Sequence, residues 1–225
     1  MSTGVKIAVG VAVLVVLAAV GSAANEQFQE KQQARALLVS VDAMVQRQNA
    51  QGAALDARFG QIDLDHRIEP TALLNADGVA DARAELAKYR GLLAERDHLA
   101  ASADQERQAL FASLPAGKIR DAAFRGSARV ADSHHAIAAA LSKAQIDNAD
   151  AVQAYVDWFD VHRGDLHVRN GKLTTVTQQE VDEVRVLGER LASTGQAVDA
   201  AIVPVKTMVQ QSTQKLQQAH QDIDQ

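Results

Sequence analysis

Apolar residues follow two different patterns along this chain. Ile7 to Val20 is an unbroken apolar run, with Lys6 before it and Gly21-Ser22-Ala23-Ala24 after it. Beyond that run, apolar positions recur at steps of three and four, the spacing of helices that bury one face.

The first such stretch runs from Asn25 to Arg58. Phe28, Leu37, Leu38, Val41, Met44, Val45, Leu55 and Phe59 form its stripe, and Gly60 ends it. Residues 60–70 (GQIDLDHRIEP) read as a connection, because Pro70 disfavours helix at Glu69. Asn75-Ala76-Asp77-Gly78 opens a second helix reaching about Leu114, with Leu86, Tyr89, Leu93, Ala100, Ala103, Leu110 and Leu114 on its stripe. Pro115-Ala116-Gly117 is a tight breaker. A third helix is predicted from Lys118 to Arg163, with Val130, Ile137, Ala144, Ala151 and Trp158 seven residues apart.

Gly164 closes the third helix. Leu166 to Val176 then reads as a β-hairpin about Asn170-Gly171, a pair suited to the positive φ angles of a type I′ turn. That turn places Val168 opposite Leu173. Thr177-Gln178-Gln179-Glu180 fits a capping box. The helix it opens carries a heptad series: Val181, Gly188, Gly195, Ile202, Val209, Leu216 and Ile223. Val184, Leu191, Val198, Val205, Ser212 and Ala219 follow three residues after the first six of these, which completes a coiled-coil seam. Glycine within a helix costs about 1 kcal/mol relative to alanine. Gly188 and Gly195 on the seam therefore predict close approach of a neighbouring helix. Pro204 lies off the seam and predicts a kink.

Together these elements predict an all-α fold. It is a long, antiparallel, up-down four-helix bundle of coiled-coil character, with a small β-hairpin between the third and fourth helices. The bundle follows an N-terminal membrane-spanning or signal helix. Residues 1–24 form that segment and 25–225 the extracytoplasmic body. In this topology the 60–70 connection and the hairpin share the membrane-distal end.

Two readings fit the N-terminal segment. Small residues at its end suit a signal peptide cleaved near Ala24. Alternatively, Ile7 to Ala24 is a span of about 27 Å as a helix, close to the ~30 Å of a bilayer core. Residues 25–31 hold no proline or glycine, so helix continues past the run, and this favours the anchor. Lys6 before the segment and Glu26 and Glu30 after it keep the N-terminus cytoplasmic. The expected location is the bacterial inner membrane, single-pass with a periplasmic body. Cleavage would instead leave a soluble periplasmic or secreted protein.

Composition narrows the chemistry. The chain has no cysteine and hence no disulfide framework. Residues 25–225 carry 22 Lys and Arg (the 23 of the whole chain less Lys6) against 28 Asp and Glu. A net charge of −6 with no basic stretch argues against nucleic acid as a partner. No nucleophile elbow, phosphate loop or HExxH motif occurs, so no catalytic residue and no cofactor is expected. The expected function is non-enzymatic: an anchored bundle that presents itself to a protein partner or to a second copy. The alternative is a ligand- or metal-binding, sensor-like bundle with its site at the distal tip.

The densest candidate region is residues 155–167. Tyr155, Trp158, Phe159, His162 and His167 form either a binding patch or, read plainly, an aromatic plug for the wide end of the bundle. A sharper idea places a metal between the two distal connections. Its ligands would be Asp63, Asp65, His66, Asp160, His162 and His167, since histidine with carboxylate suits zinc or another transition metal. Without diagnostic spacing, the competing reading is surface polarity. His134 falls on the heptad position of Leu141 and Tyr155, where a polar residue sets register.

Overall fold

The computed structural model describes residues 28–169, 172–174 and 177–224. The Ile7–Ala24 run and the Asn170-Gly171 turn lie outside the described residues. Four long helices dominate: α1 (Phe28–Phe59), α3 (Ala76–Ser113), α4 (Lys118–His162) and α5 (Gln178–Asp224). A four-residue helix α2 (Leu64–Arg67) and a 3-10 turn (Ala72–Leu74) lie between α1 and α3. Another 3-10 turn (Arg163–Asp165) follows α4. Two three-residue strands, β1 (His167–Arg169) and β2 (Lys172–Thr174), pair antiparallel with Val168 opposite Leu173. They are too short to form a layer of their own, and the body is a helical bundle.

The helix boundaries have local chemical causes. Asn75 caps α3, its side-chain oxygen accepting the Gly78 N–H at 2.7 Å. Gly78 itself is required by crowding, since a Cβ there would sit 1.8 Å from the Ala72 carbonyl oxygen. Gly117, at φ +153°, turns the chain into α4 in a conformation that suits glycine. At the start of α5 the Thr177 N–H donates to Glu180 Oε2 at 2.9 Å, and the Glu180 N–H donates to Thr177 Oγ1 at 3.2 Å. This is the reciprocal pair of a capping box. α5 continues through Pro204, which lies inside it.

The described residues form two compact units. The first comprises Arg58–Ala94 and Leu141–Ala201. Within it α3 and α4 run antiparallel: Arg83 bonds Asp157 and Arg90 bonds Asp150, each at 2.7 Å. α4 and α5 are likewise antiparallel, joined by Trp158–Glu183 at 3.0 Å and Asn148–Thr194 at 2.9 Å. Leu73, Leu86, Val152, Val156 and Phe159 are buried in this unit. The second unit comprises Glu95–Ala140 with the described residues 28–57 and 202–224. Its core gathers Leu37, Leu38, Val41 and Val45 of α1 with Phe111 of α3, Ile119 and Ala123 of α4, and Ala219 of α5. Phe124 meets Phe111 edge-on at 5.7 Å.

One packing expectation fails. Gly188 and Gly195 do not mark a close helix approach, because a Cβ at either would meet nothing within 4 Å. Among the described residues no helix is long and apolar enough to cross a membrane.

Candidate ligand-binding cavity

The open space beside these glycines belongs to a cavity of about 680 Å³ within the first unit. It arises from where α1 stops. α1 ends at Phe59, so the first unit holds only three long helices, and the chain that follows folds into the short α2 and a 3-10 turn instead of a fourth. Phe59, Gly60, Ile62, Leu64, Asp65 and Ile68 of this segment form one wall. Tyr89 of α3 and Asn148 and Val152 of α4 contribute to the lining. The facing wall is α5, with Gly188, Leu191, Ala192, Gly195, Gln196, Val198 and Asp199. Gly188 and Gly195 are one heptad apart, about 10 Å along the helix. Each removes a side chain from the face that a seam would otherwise fill.

The lining is mostly apolar and its aromatic members are fixed. Phe59 and Tyr89 are buried and meet edge-on at 5.9 Å, a favourable aromatic geometry. The Thr194 hydroxyl bonds Asn148 Oδ1 at 2.9 Å, which positions one of the few polar groups of the wall. Buried Glu85 secures the α2 segment: its carboxylate accepts the Asp63 backbone N–H at 3.0 Å and the Lys88 ammonium at 2.8 Å. The Lys88 hydrogen bond, followed by that from the Asp63 N–H, holds the Glu85 carboxyl below its usual pKa. Arg67 adds an ion pair to Asp81 at 2.9 Å. The charged residues of the lining are Asp65 and Asp199, both exposed and neither in an ion pair among the described residues. A pocket of several hundred Å³ with an apolar lining and few polar groups has the size and chemistry of small-molecule sites.

The aromatic residues singled out from the sequence lie elsewhere. Tyr155, Trp158 and Phe159 are buried, Phe159 completely. They pack on one another, with ring centroids 5.0 Å apart for Tyr155–Phe159 and 5.3 Å for Trp158–Phe159. None of them lines the cavity. They form interior packing between helices, not a patch offered to a partner. Trp158 donates its indole N–H to Glu183 and stacks on His162 at 4.4 Å. The His162 Nδ1 lies 2.8 Å from the Trp158 carbonyl oxygen. His167 is exposed on β1.

Four of the six metal candidates, Asp63, His66, Asp160 and His162, have other partners. His66 pairs with Asp63, which raises the imidazole pKa above its ordinary value. Asp160 is held by Arg83 at 2.9 Å and by Arg163. Asp65 lines the cavity and His162 covers Trp158. Among the described residues no three histidine, aspartate or glutamate side chains gather to hold a metal ion. The 3-10 turns Ala72–Leu74 and Arg163–Asp165 do meet, so the two connections share one end of this unit. Of the carboxylates there, Asp160 is held by Arg83 and Arg163, and Asp63 by His66.

Sequence reasoning missed the cavity. Its one sequence signal was the pair of glycines on a mostly branched-apolar heptad seam, which fits close packing and open space equally well. No family model, curated protein or solved structure matches this chain.

Proposed function

We propose that this protein is a non-enzymatic, extracytoplasmic helical bundle that binds a small, largely apolar molecule in the cavity of its first unit. The observation that carries the reading is that Gly188 and Gly195, on the seam face of a long helix, front open space and not a neighbouring helix. Two glycines weaken that helix by about 2 kcal/mol in total. Emptying a volume for a ligand is a reason to keep them there. The Ile7–Ala24 run tethers the bundle to the membrane in this proposal, with the body on the periplasmic side.

The test is calorimetric titration of the full chain with phenylbutanol, a neutral molecule with an apolar body. Saturable binding is expected, and it should disappear in the Gly188→Leu, Gly195→Leu variant, whose side chains refill the seam while circular dichroism stays helical. Binding that is absent, or that survives in the filled variant, refutes the reading. Tethering is checked separately by intact mass: a full-length chain in the membrane fraction supports it, and a soluble product starting near Asn25 removes it.

A second reading draws on the heptad series itself. Val181, which opens the series, is 41 % exposed, so the start of α5 is suited to meet a protein partner or a second copy. A strictly monomeric chain from which crosslinking in the membrane recovers no partner would sink this reading.

A further inference from the structure

We infer that the ligand of this cavity carries a positive charge: an amine or quaternary ammonium joined to an apolar body. The inference rests on the proposed binding function and adds the charge of the ligand to it. The charged groups of the lining are carboxylates alone, Asp65 on α2 and Asp199 on α5, with no lysine, arginine or histidine among the lining residues. Both carboxylates lie on exposed residues and make no ion pair among the described residues. Elsewhere in the same unit, Asp81, Asp150, Asp157 and Asp160 are each joined to an arginine. Glu69, Asp77, Asp165 and Glu189 of this unit also make no ion pair among the described residues; Asp65 and Asp199 differ from them in lining the cavity.

The apolar part of the lining suits the same class of ligand. Phe59 and Tyr89 are among the lining residues, and aromatic rings attract cations through the ring quadrupole. The gap from Gly188 to Gly195 gives about 10 Å along α5 for an apolar chain. An anionic ligand would meet two carboxylates and no compensating donor of positive charge.

The experiment titrates the full chain with three probes of matched body: phenylbutylamine, phenylbutanol and phenylbutyrate. Phenylbutylamine is expected to bind about five-fold tighter than the alcohol, the scale of one exposed ion pair, and phenylbutyrate weakest. In the Asp65→Asn, Asp199→Asn variant the amine should bind no tighter than the alcohol binds to the same variant. Added salt should erode the amine preference in the parent protein. Equal binding of all three probes, or an amine preference that survives the double substitution, overturns the charge assignment and leaves the cavity reading intact. If none of the three binds, the functional reading falls as well.

Discussion

The Gly188→Ala and Gly195→Ala substitutions probe the geometry of the cavity without any ligand. Alanine is favoured over glycine in a helix interior by about 1 kcal/mol, chiefly because the unfolded glycine backbone has more freedom to lose. That gain is realised only where the new methyl has room. At both positions an added Cβ meets nothing within 4 Å, so no steric term opposes it. Each variant is expected to be more stable by about 1 kcal/mol. The sites are a heptad apart and share no partner, so the double variant should gain about 2 kcal/mol, with additivity good to about 0.5 kcal/mol. In a chain of this size that corresponds to a rise in melting temperature of roughly 4–8 °C. Trp158 is the sole tryptophan and bonds to Glu183 of α5, so its fluorescence during urea unfolding reports on the unit concerned.

Gly78→Ala supplies the internal control. There the methyl would sit 1.8 Å from a backbone carbonyl oxygen, so the same chemical change should destabilise. Opposite signs at Gly78 and at the α5 pair are the signature of the geometry described. If Gly188→Ala and Gly195→Ala destabilise instead, a neighbouring helix lies against them. The glycines then serve close packing, and the cavity does not exist in solution.

Two further predictions concern ionisation and one concerns a helix end. Burial pushes the Asp56 carboxyl up to about 6, and its Oδ1 lacks a hydrogen-bond partner among the described residues. Because the folded pKa exceeds the unfolded value, the ionised group opposes folding at neutral pH, and this penalty fades as pH falls below about 6. Asp56→Asn should therefore stabilise at pH 7 by about 1 kcal/mol after solvent screening, with no gain at pH 4; a loss at pH 7 in thermal melts would refute this. His134 moves the other way, since burial first, then Arg107, Lys215 and His135, lower its pKa, with Asp104 opposing them. The unfolded chain takes up that proton first, so stability should drop as pH falls through about 6.5, and His134→Gln should flatten this limb; an unchanged profile would remove His134 as its cause. Thr177→Ala breaks the capping box and should cost about 1 kcal/mol in chemical denaturation, whereas a neutral result would mean that Glu180 alone holds the end of α5.

The long helices were legible because each is bounded by chemistry that acts within a few residues. Gly60, the Asn75 cap, the Pro115–Gly117 breaker and the Thr177–Glu180 box all act locally, and the observed ends lie within a few residues of those expected. The buried stripe of the first helix was equally legible: Leu37, Leu38, Val41 and Val45 enter one core. The aromatic group at Tyr155–Phe159 was seen as notable, and its plain reading as interior packing matches its burial. The metal idea failed on pairing. Asp160 is taken by Arg83 of another helix, a neighbour that sequence spacing does not reveal, and Asp63 by His66 three residues on. The division of the described residues into two units was also illegible, because it depends on which contacts form between segments far apart in the chain.

The heptad series of α5 shows where pattern ends and structure begins. Val198, Val205, Ser212 and Ala219 occupy equivalent seam positions and are all buried. Val181 is exposed, and Leu191 and Gly195, on the same seam, face a cavity. A seven-residue repeat specifies which face of a helix is apolar; it does not specify what covers that face. Along this seam the side chain is missing altogether at two positions, Gly188 and Gly195, and both lie on the uncovered stretch. Random loss of side chains would not place them one heptad apart on the same wall. Selection for close packing would have brought backbone or side chains within 4 Å, and none is there. Under the proposed function, space for an occupant accounts for both their position and their spacing.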